Sequence, residues 1–186
     1  MRIISGSARG RKLFAPAGED TRPTADRIRE SLFNILGTRV WDAGVLDLFG
    51  GTGALALEAM SRGAESAVIV DMNRAAIQAI ERNAQGVVGE DYASRVRVIK
   101  SDYRSAIGSM KGKKFDIVFL DPPYRMVESY ADAIARLQAV GAIHGETLIL
   151  MERLRENAVA IPAGFEVFDT RTYGETAVDF VRMGKE

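Results

Sequence analysis

From residue 44 onward, short apolar runs alternate with stretches whose apolar residues recur every three or four positions. Gly44-Val45-Leu46-Asp47-Leu48-Phe49 reads as a first strand. Gly50-Gly51-Thr52-Gly53 then turns into a helix carrying Leu55, Leu57, Ala59 and Met60, which Gly63 ends. Further strands are predicted over residues 67–70, 96–99, 115–120 and 147–151, with helices around 75–83 and 129–140. The tail differs. Residues 165–171 and 177–182 flank Tyr173-Gly174-Glu175, which leaves no room for a crossover helix. Parallel neighbours need such a crossover, so this last pair is predicted antiparallel. Ahead of residue 44, residues 2–5 and 12–15 read as two short strands around Gly6-Ser7-Ala8-Arg9-Gly10. Residues 16–20 read as a loop. Thr24 is the expected N-cap of a helix marked by Ile28, Leu32, Ile35 and Leu36 and stopped by Gly37.

Alternating strands and helices predict an α/β domain, a mostly parallel sheet with helices on both faces. There is no internal repeat. The organisation expected is a small basic hairpin extension over residues 1–20 and an α/β domain over 21–186. Ligands of such sheets sit beyond the carboxyl ends of the strands, so the residues just after each strand are the candidates.

Composition narrows the chemistry. The 186 residues hold 25 Lys+Arg, 25 Asp+Glu, one His and no Cys, with a hydrophobic fraction of 47% typical of a globular chain. Without Cys there is no disulfide framework, thiolate zinc site or cysteine nucleophile. With only His144, a histidine metal cluster is impossible, and no metal is expected. No apolar run reaches the roughly 18 residues of a membrane span, and Met1 to Gly6 lacks the apolar region of a signal peptide. A cytoplasmic protein is expected. Arg2, Arg9, Arg11 and Lys12 put +4 on the first 18 residues, leaving −4 on the rest of a neutral chain. The start of the chain is a local basic device suited to phosphates.

The strand ends carry a pattern. After strand one comes Asp47-Leu48-Phe49-Gly50-Gly51-Thr52-Gly53, where glycines admit a ligand to the backbone and a helix begins. After strand two comes Asp71, 24 residues beyond Asp47, placed to accept ribose hydroxyls. After strand three comes Asp102-Tyr103, and after strand four Asp121-Pro122-Pro123-Tyr124. The glycine loop also fits a nicotinamide-dinucleotide fold, and a lone acid often caps a helix. The Asp-Pro-Pro-Tyr run is more specific. Two prolines stiffen the turn and remove two backbone donors, between an acid and an aromatic that a simple turn does not need.

That tetrapeptide, with the glycine loop, resembles the S-adenosylmethionine-dependent amino-methyltransferases. Arg2-Ile3-Ile4-Ser5-Gly6, Arg22-Pro23-Thr24, the run from Arg27 to Leu36, Gly53 to Ala59 and Ser61-Arg62-Gly63-Ala64 further resemble the RsmD family, bacterial enzymes methylating guanine N2 of 16S ribosomal RNA. The likeness is weakest at residues 84–114 and 152–172. Gly51 stands where many relatives have Ala, and Asp71 where many have Glu. Residues 152–160 read poorly as a helix, so the family's final crossover helix is expected short or missing.

The resemblance implies a Rossmann-like class I methyltransferase with a seven-stranded sheet, binding S-adenosylmethionine. Asp47, Phe49, Gly50, Gly51 and Gly53 would line the methionine end. Asp71 would hold the ribose with Met72 and Asn73 beside it, and Asp102 and Tyr103 would meet the adenine. Asp121, Pro122, Pro123 and Tyr124 would form the catalytic turn. Arg2, Arg9, Arg11, Lys12, Arg22, Thr24 and Arg125 would face RNA, within a partly or fully assembled small subunit, the enzyme acting as a monomer. The hairpin is expected to project, so that deleting residues 1–15 spares cofactor binding and weakens RNA binding. Competing readings are adenine-N6 or protein-glutamine methylation by the same turn, a dinucleotide-dependent oxidoreductase, and an inert RNA-binding assembly factor.

Overall fold

The computed structural model describes residues 1–16 and 23–185. The strands are β1 (Gly44–Asp47), β2 (Ser66–Asp71), β3 (Val96–Lys100), β4 (Ile117–Leu120), β5 (Leu148–Leu154), β6 (Phe165–Tyr173) and β7 (Thr176–Met183). They form one sheet in the order β3-β2-β1-β4-β5-β7-β6. The first five are parallel, and β7 runs antiparallel between β5 and β6. The mostly parallel seven-stranded sheet expected from the sequence is therefore present, with its antiparallel C-terminal hairpin. Helices α1 (Pro23–Leu36), α2 (Ala54–Ser61), α3 (Arg74–Val88), α4 (Tyr92–Arg95), α5 (Tyr103–Gly108) and α6 (Ser129–Ala139) complete the domain.

Strand alternation divides the core. Val45, Ile117 and Phe119 pack against Phe33 of α1, Leu57 of α2 and Ile80 of α3. Leu46, Val118 and Leu120 pack on the other face against Ile107 of α5 and Ile134 and Leu137 of α6. Strand order reverses at β1, with β2 on one side and β4 on the other, which opens a crevice at their carboxyl ends.

Several expectations need correction. The two N-terminal strands reduce to one antiparallel bridge, Arg2 to Lys12. The backbone N–H groups of Ile4 and Ser5 bond to the Glu58 carboxylate of α2 (2.9 and 3.0 Å) and so are diverted from a facing strand. Nor does this segment project. Ile3 and Leu13 lie in the core, Ser7 N–H reaches the Ser61 carbonyl at 2.8 Å, and Phe14 N–H reaches Asn83 of α3 at 2.7 Å. Helix α1 begins at Pro23, a residue suited to a first helical position, so Thr24 lies inside its first turn instead of capping it. Arg22 lies outside the described residues. Strand β1 ends at Asp47, two residues early, because Leu48 and Phe49 already belong to the glycine turn. Short helices α4 and α5 escaped the apolar pattern because four and six residues show no periodicity. Between β5 and β6 the described residues contain no helix.

Candidate active site

The glycine loop is built by packing and by backbone conformation. Gly50 donates its N–H to the Val70 carbonyl at 2.8 Å, and a Cβ there would come within 2.5 Å of Ile69. Gly51 has φ +58, and a Cβ on it would meet nothing within 4 Å, so the loop faces open space. The Gly51 N–H bonds to Asp71 Oδ2 at 2.9 Å, and Asp71 Oδ1 accepts from Asn73 N–H at 2.8 Å. The acid at the end of β2 thus ties down the loop that follows β1.

A cleft with two lobes opens above this loop, and the lobes share Phe49, Gly51 and Asp121. The larger, about 450 Å³, is lined by Asp71, Met72, Ser101 and Tyr103 on one side and by residues Asp121 to Met126 on the other. The smaller, about 220 Å³, is lined by Asp47, Gly50, Thr52, Arg29, Glu152 and Met1 among others. Phe49 and Tyr103 pack ring on ring at 5.5 Å, and Tyr103 is fixed by donating to Asp132 at 2.7 Å. Met72 is 66% exposed and Tyr124 47%, both large side chains presented at the rim. Pro122 is buried, and the Pro123 carbonyl accepts from Met126 N–H at 2.8 Å, closing the turn.

Of the expected cofactor residues, Asp47, Phe49, Gly50, Gly51, Asp71, Met72 and Tyr103 line the cleft. Asn73, Asp102 and Gly53 do not line it and shape its walls instead. Asn73 caps α3 by accepting from Ala75 and Ala76, and Asp102 caps α5 by accepting from the Ser105 N–H at 3.0 Å; the Ser105 hydroxyl and then this N–H hold its carboxyl below the usual range. Gly53 starts α2 with φ +79.

The cleft is acidic. Burial raises the Asp47 pKa to about 7, with the Asp71 charge adding to it and the Phe49 N–H bond opposing it. Asp121 is pushed well above the ordinary carboxylate range, first by burial, then by the charges of Glu152 and Asp47. Glu152 is raised by burial. Burial also raises Tyr130, helped by Asp121 and Glu152, and its hydroxyl donates to the Glu152 carbonyl.

Glu152 lines the same cleft and is not among the residues expected from the sequence. It is the first residue after the predicted strand 147–151, so the same rule applied once more would have found it. Arg29 carries no local sequence signal, being one of two arginines in the Arg27–Leu36 run. It is buried, donates to the Arg2 carbonyl, and sits 3.2 Å from Asp26 and 3.4 Å from Glu58.

These residues fit S-adenosylmethionine. Asp71 offers hydroxyl acceptors. Phe49, Tyr103 and Met72 offer apolar surface to a purine. The Asp47 carboxyl, at the glycine loop, suits a cationic ammonium, and Gly51 leaves room for close approach. Sheet order, glycine loop and acid-tipped strands define a class I S-adenosylmethionine-dependent methyltransferase. A family model described as Conserved hypothetical protein 95 matches residues 1–182. Ribosomal RNA small subunit methyltransferase D of Escherichia coli K12 is 39% identical over 180 residues, 95% of this chain and 87% of that protein. The Haemophilus influenzae protein of the same name is 30% identical over 175 residues, covering 94% and 89%. The solved yhhF chain from Escherichia coli superposes with a TM-score of 0.83 at 37% identity, covering 100% of this chain and 99% of that one. The chain belongs to this family, that of the RsmD-type S-adenosylmethionine-dependent methyltransferases.

Proposed function

We propose that this protein methylates the exocyclic N2 amine of a guanine in small-subunit (16S) ribosomal RNA. The observation that carries the reading is the position of the Asp121-Pro122-Pro123-Tyr124 turn, which walls the same lobe as Asp71 and Tyr103. A nucleobase presented there meets the acid and the aromatic where a methyl donor would be held. The two relatives named as small-subunit methyltransferases support the RNA substrate.

A nucleobase amine is a poor nucleophile because its lone pair is delocalised into the ring. Asp121 counters this by accepting an N–H bond, which favours a localised lone pair aimed into the cleft. The Pro122 carbonyl is a second candidate acceptor, held by the stiff turn. Tyr124 offers a face on which an extruded base stacks. When bound, S-adenosylmethionine supplies a methyl group activated by its positive sulfur. The proton lost from nitrogen can pass to Asp121, whose raised pKa makes it a better base than an ordinary carboxylate. Positioning supplies most of the acceleration, up to about 7–11 kcal/mol.

The basic hairpin serves the same site. Arg2, Arg9, Arg11 and Lys12 are all exposed, while Met1 lines the cleft and Arg29, which also lines it, bonds to the Arg2 carbonyl. Arg82 lies 3.2 Å over the Phe14 ring, adding a cation and an aromatic to this face. Arg125 lines the larger lobe of the cleft, whereas Met1 and Arg29 line the smaller. In this reading the hairpin and Arg125 hold phosphates on either side of the extruded base. Partly or fully assembled small subunits in the cytoplasm are the substrate, and the enzyme acts as a monomer.

The test is methyl transfer from labelled S-adenosylmethionine to small-subunit particles from a strain lacking the gene, followed by mass mapping of the RNA. A single methylated guanine that disappears with the gene and returns with it is expected. Transfer to adenine, to protein, or to no particle would refute the reading.

A further inference from the structure

We propose that Glu152 reads the identity of the target base, its carboxylate accepting the ring N1–H of guanine while Asp121 accepts from the neighbouring 2-amine. The inference rests on the guanine-N2 reading above and concerns how that base is told from other amine-bearing purines.

The placement follows from strand register. In the parallel pair β4 and β5, Leu120 lies opposite Met151. Asp121 follows the last residue of β4 and Glu152 is the next residue of β5, so the two leave this pair side by side, at roughly the strand spacing of about 4.8 Å. Both line the smaller lobe of the cleft, and the charge of one is felt by the other. Glu152 is also held on rigid backbone. It pairs with Val178 of β7 on its far side, and its carbonyl is anchored by the Tyr130 hydroxyl. A residue fixed in this way can measure a ligand edge.

No cation among the described residues explains this carboxylate. The adjacent Arg153 is committed to Asp179, with Nε 2.5 Å from its carboxylate, and no salt bridge joins Glu152 to a described residue. A desolvated acid with no counter-charge among the described residues fits a place where a ligand supplies the donor.

Guanine supplies two donors in a row, N1–H and the 2-amine. A pair of adjacent carboxylates matches that edge. A purine with the 2-amine but a bare N1, such as 2-aminopurine, sets a lone pair against Glu152 instead. Sites built to bond a donor reject analogues that lack it, because a buried acceptor is left facing another.

The experiment places guanine or 2-aminopurine at the mapped target nucleotide of reconstituted small-subunit particles and compares wild type with Glu152→Gln. The amide of Gln can still accept N1–H through its oxygen and can donate to a bare N1. Wild type should prefer guanine by roughly a hundredfold or more in kcat/KM. Glu152→Gln should shrink that preference by at least about tenfold, chiefly by gaining on 2-aminopurine. Glu152→Asp, which keeps the charge but retracts it, should lose on guanine without gaining on 2-aminopurine. Calorimetry with S-adenosylmethionine establishes that each variant is folded and loaded. If Glu152→Gln lowers transfer to both bases by the same factor, Glu152 is structural and the inference falls alone. If wild type methylates neither base in the particle, the guanine-N2 reading itself fails and takes the inference with it.

Discussion

Gly51 and Asp71 are joined across the crevice by a 2.9 Å bond from the glycine N–H to the carboxylate. A single side chain at the end of β2 therefore orders the loop after β1, and we propose that its remaining lone pairs accept ribose hydroxyls. Asp71→Ala removes both contributions. Charge-assisted bonds of this kind are worth about 1.5–3 kcal/mol. S-adenosylmethionine affinity measured by calorimetry should fall by roughly ten- to a hundredfold, with Asp71→Glu retaining most of it. Unchanged affinity in Asp71→Ala would remove Asp71 from the cofactor site.

Asp121 is proposed to act on the amine, so its loss should show in turnover and spare cofactor binding. Asp121→Ala is expected to bind S-adenosylmethionine near the wild-type level. It should lower kcat by about 3–4 kcal/mol in the barrier, or roughly 10²–10³-fold. Single-turnover methyl transfer at saturating cofactor measures this directly. A wild-type rate in the variant would exclude the proposed role.

Most of the frame could be read from the sequence because its signals are local. Each parallel strand is a short apolar run bounded by turn residues, and the glycine loop and the two prolines announce themselves. That Asp47, Asp71 and Asp121 meet at one cleft was legible because a rule of topology, the strand end, pointed to them. What escaped depends on tertiary contacts. Glu58 looks like an ordinary helix acid, yet it is fully buried and gathers Ile4, Ser5, Arg29 and Arg62. The basic hairpin was expected to project, because its charges were visible while the seating of Ile3 and Leu13 in the core was not. Asn73 and Asp102 cap α3 and α5, a role the sequence does not separate from binding, since a capping acid or amide and a binding one look alike in sequence.

Asp47 makes the stability of the fold depend on pH. Its carboxyl holds a proton up to about pH 7 when folded, against 3.8 for the unperturbed group. Folding therefore takes up a proton between those values, and the stability this gives is fully present below about pH 4 and lost as pH rises through 7. Above pH 7 the buried charge costs up to about 4 kcal/mol. Asp47→Asn keeps an oxygen for the Phe49 N–H and carries no charge. Urea denaturation should find it about 2–4 kcal/mol more stable than wild type at pH 8, with the gain fading toward pH 4. An equal gain at both pH values would mean that the Asp47 charge is not its cause.

The seating of the hairpin decides how its role in RNA binding must be tested. Deleting residues 1–15 strips Ile3 and Leu13 from the core and leaves the buried Glu58 without the Ile4 and Ser5 N–H groups. Such a deletion is expected to destabilise the whole domain by several kcal/mol, so any loss of RNA binding would say nothing about charge. Arg9, Arg11 and Lys12 are exposed, and replacing all three with Gln leaves the core and the Glu58 hydrogen bonds intact. The triple variant should melt with wild type, within about 0.5 kcal/mol per substitution, and bind S-adenosylmethionine normally. Its affinity for small-subunit RNA should fall, and the slope of log affinity against log salt should flatten by about 0.7–0.9 for each phosphate that the hairpin no longer neutralises. If affinity and slope both match wild type, the hairpin is a structural strap across α2 and α3, and RNA phosphates are held elsewhere.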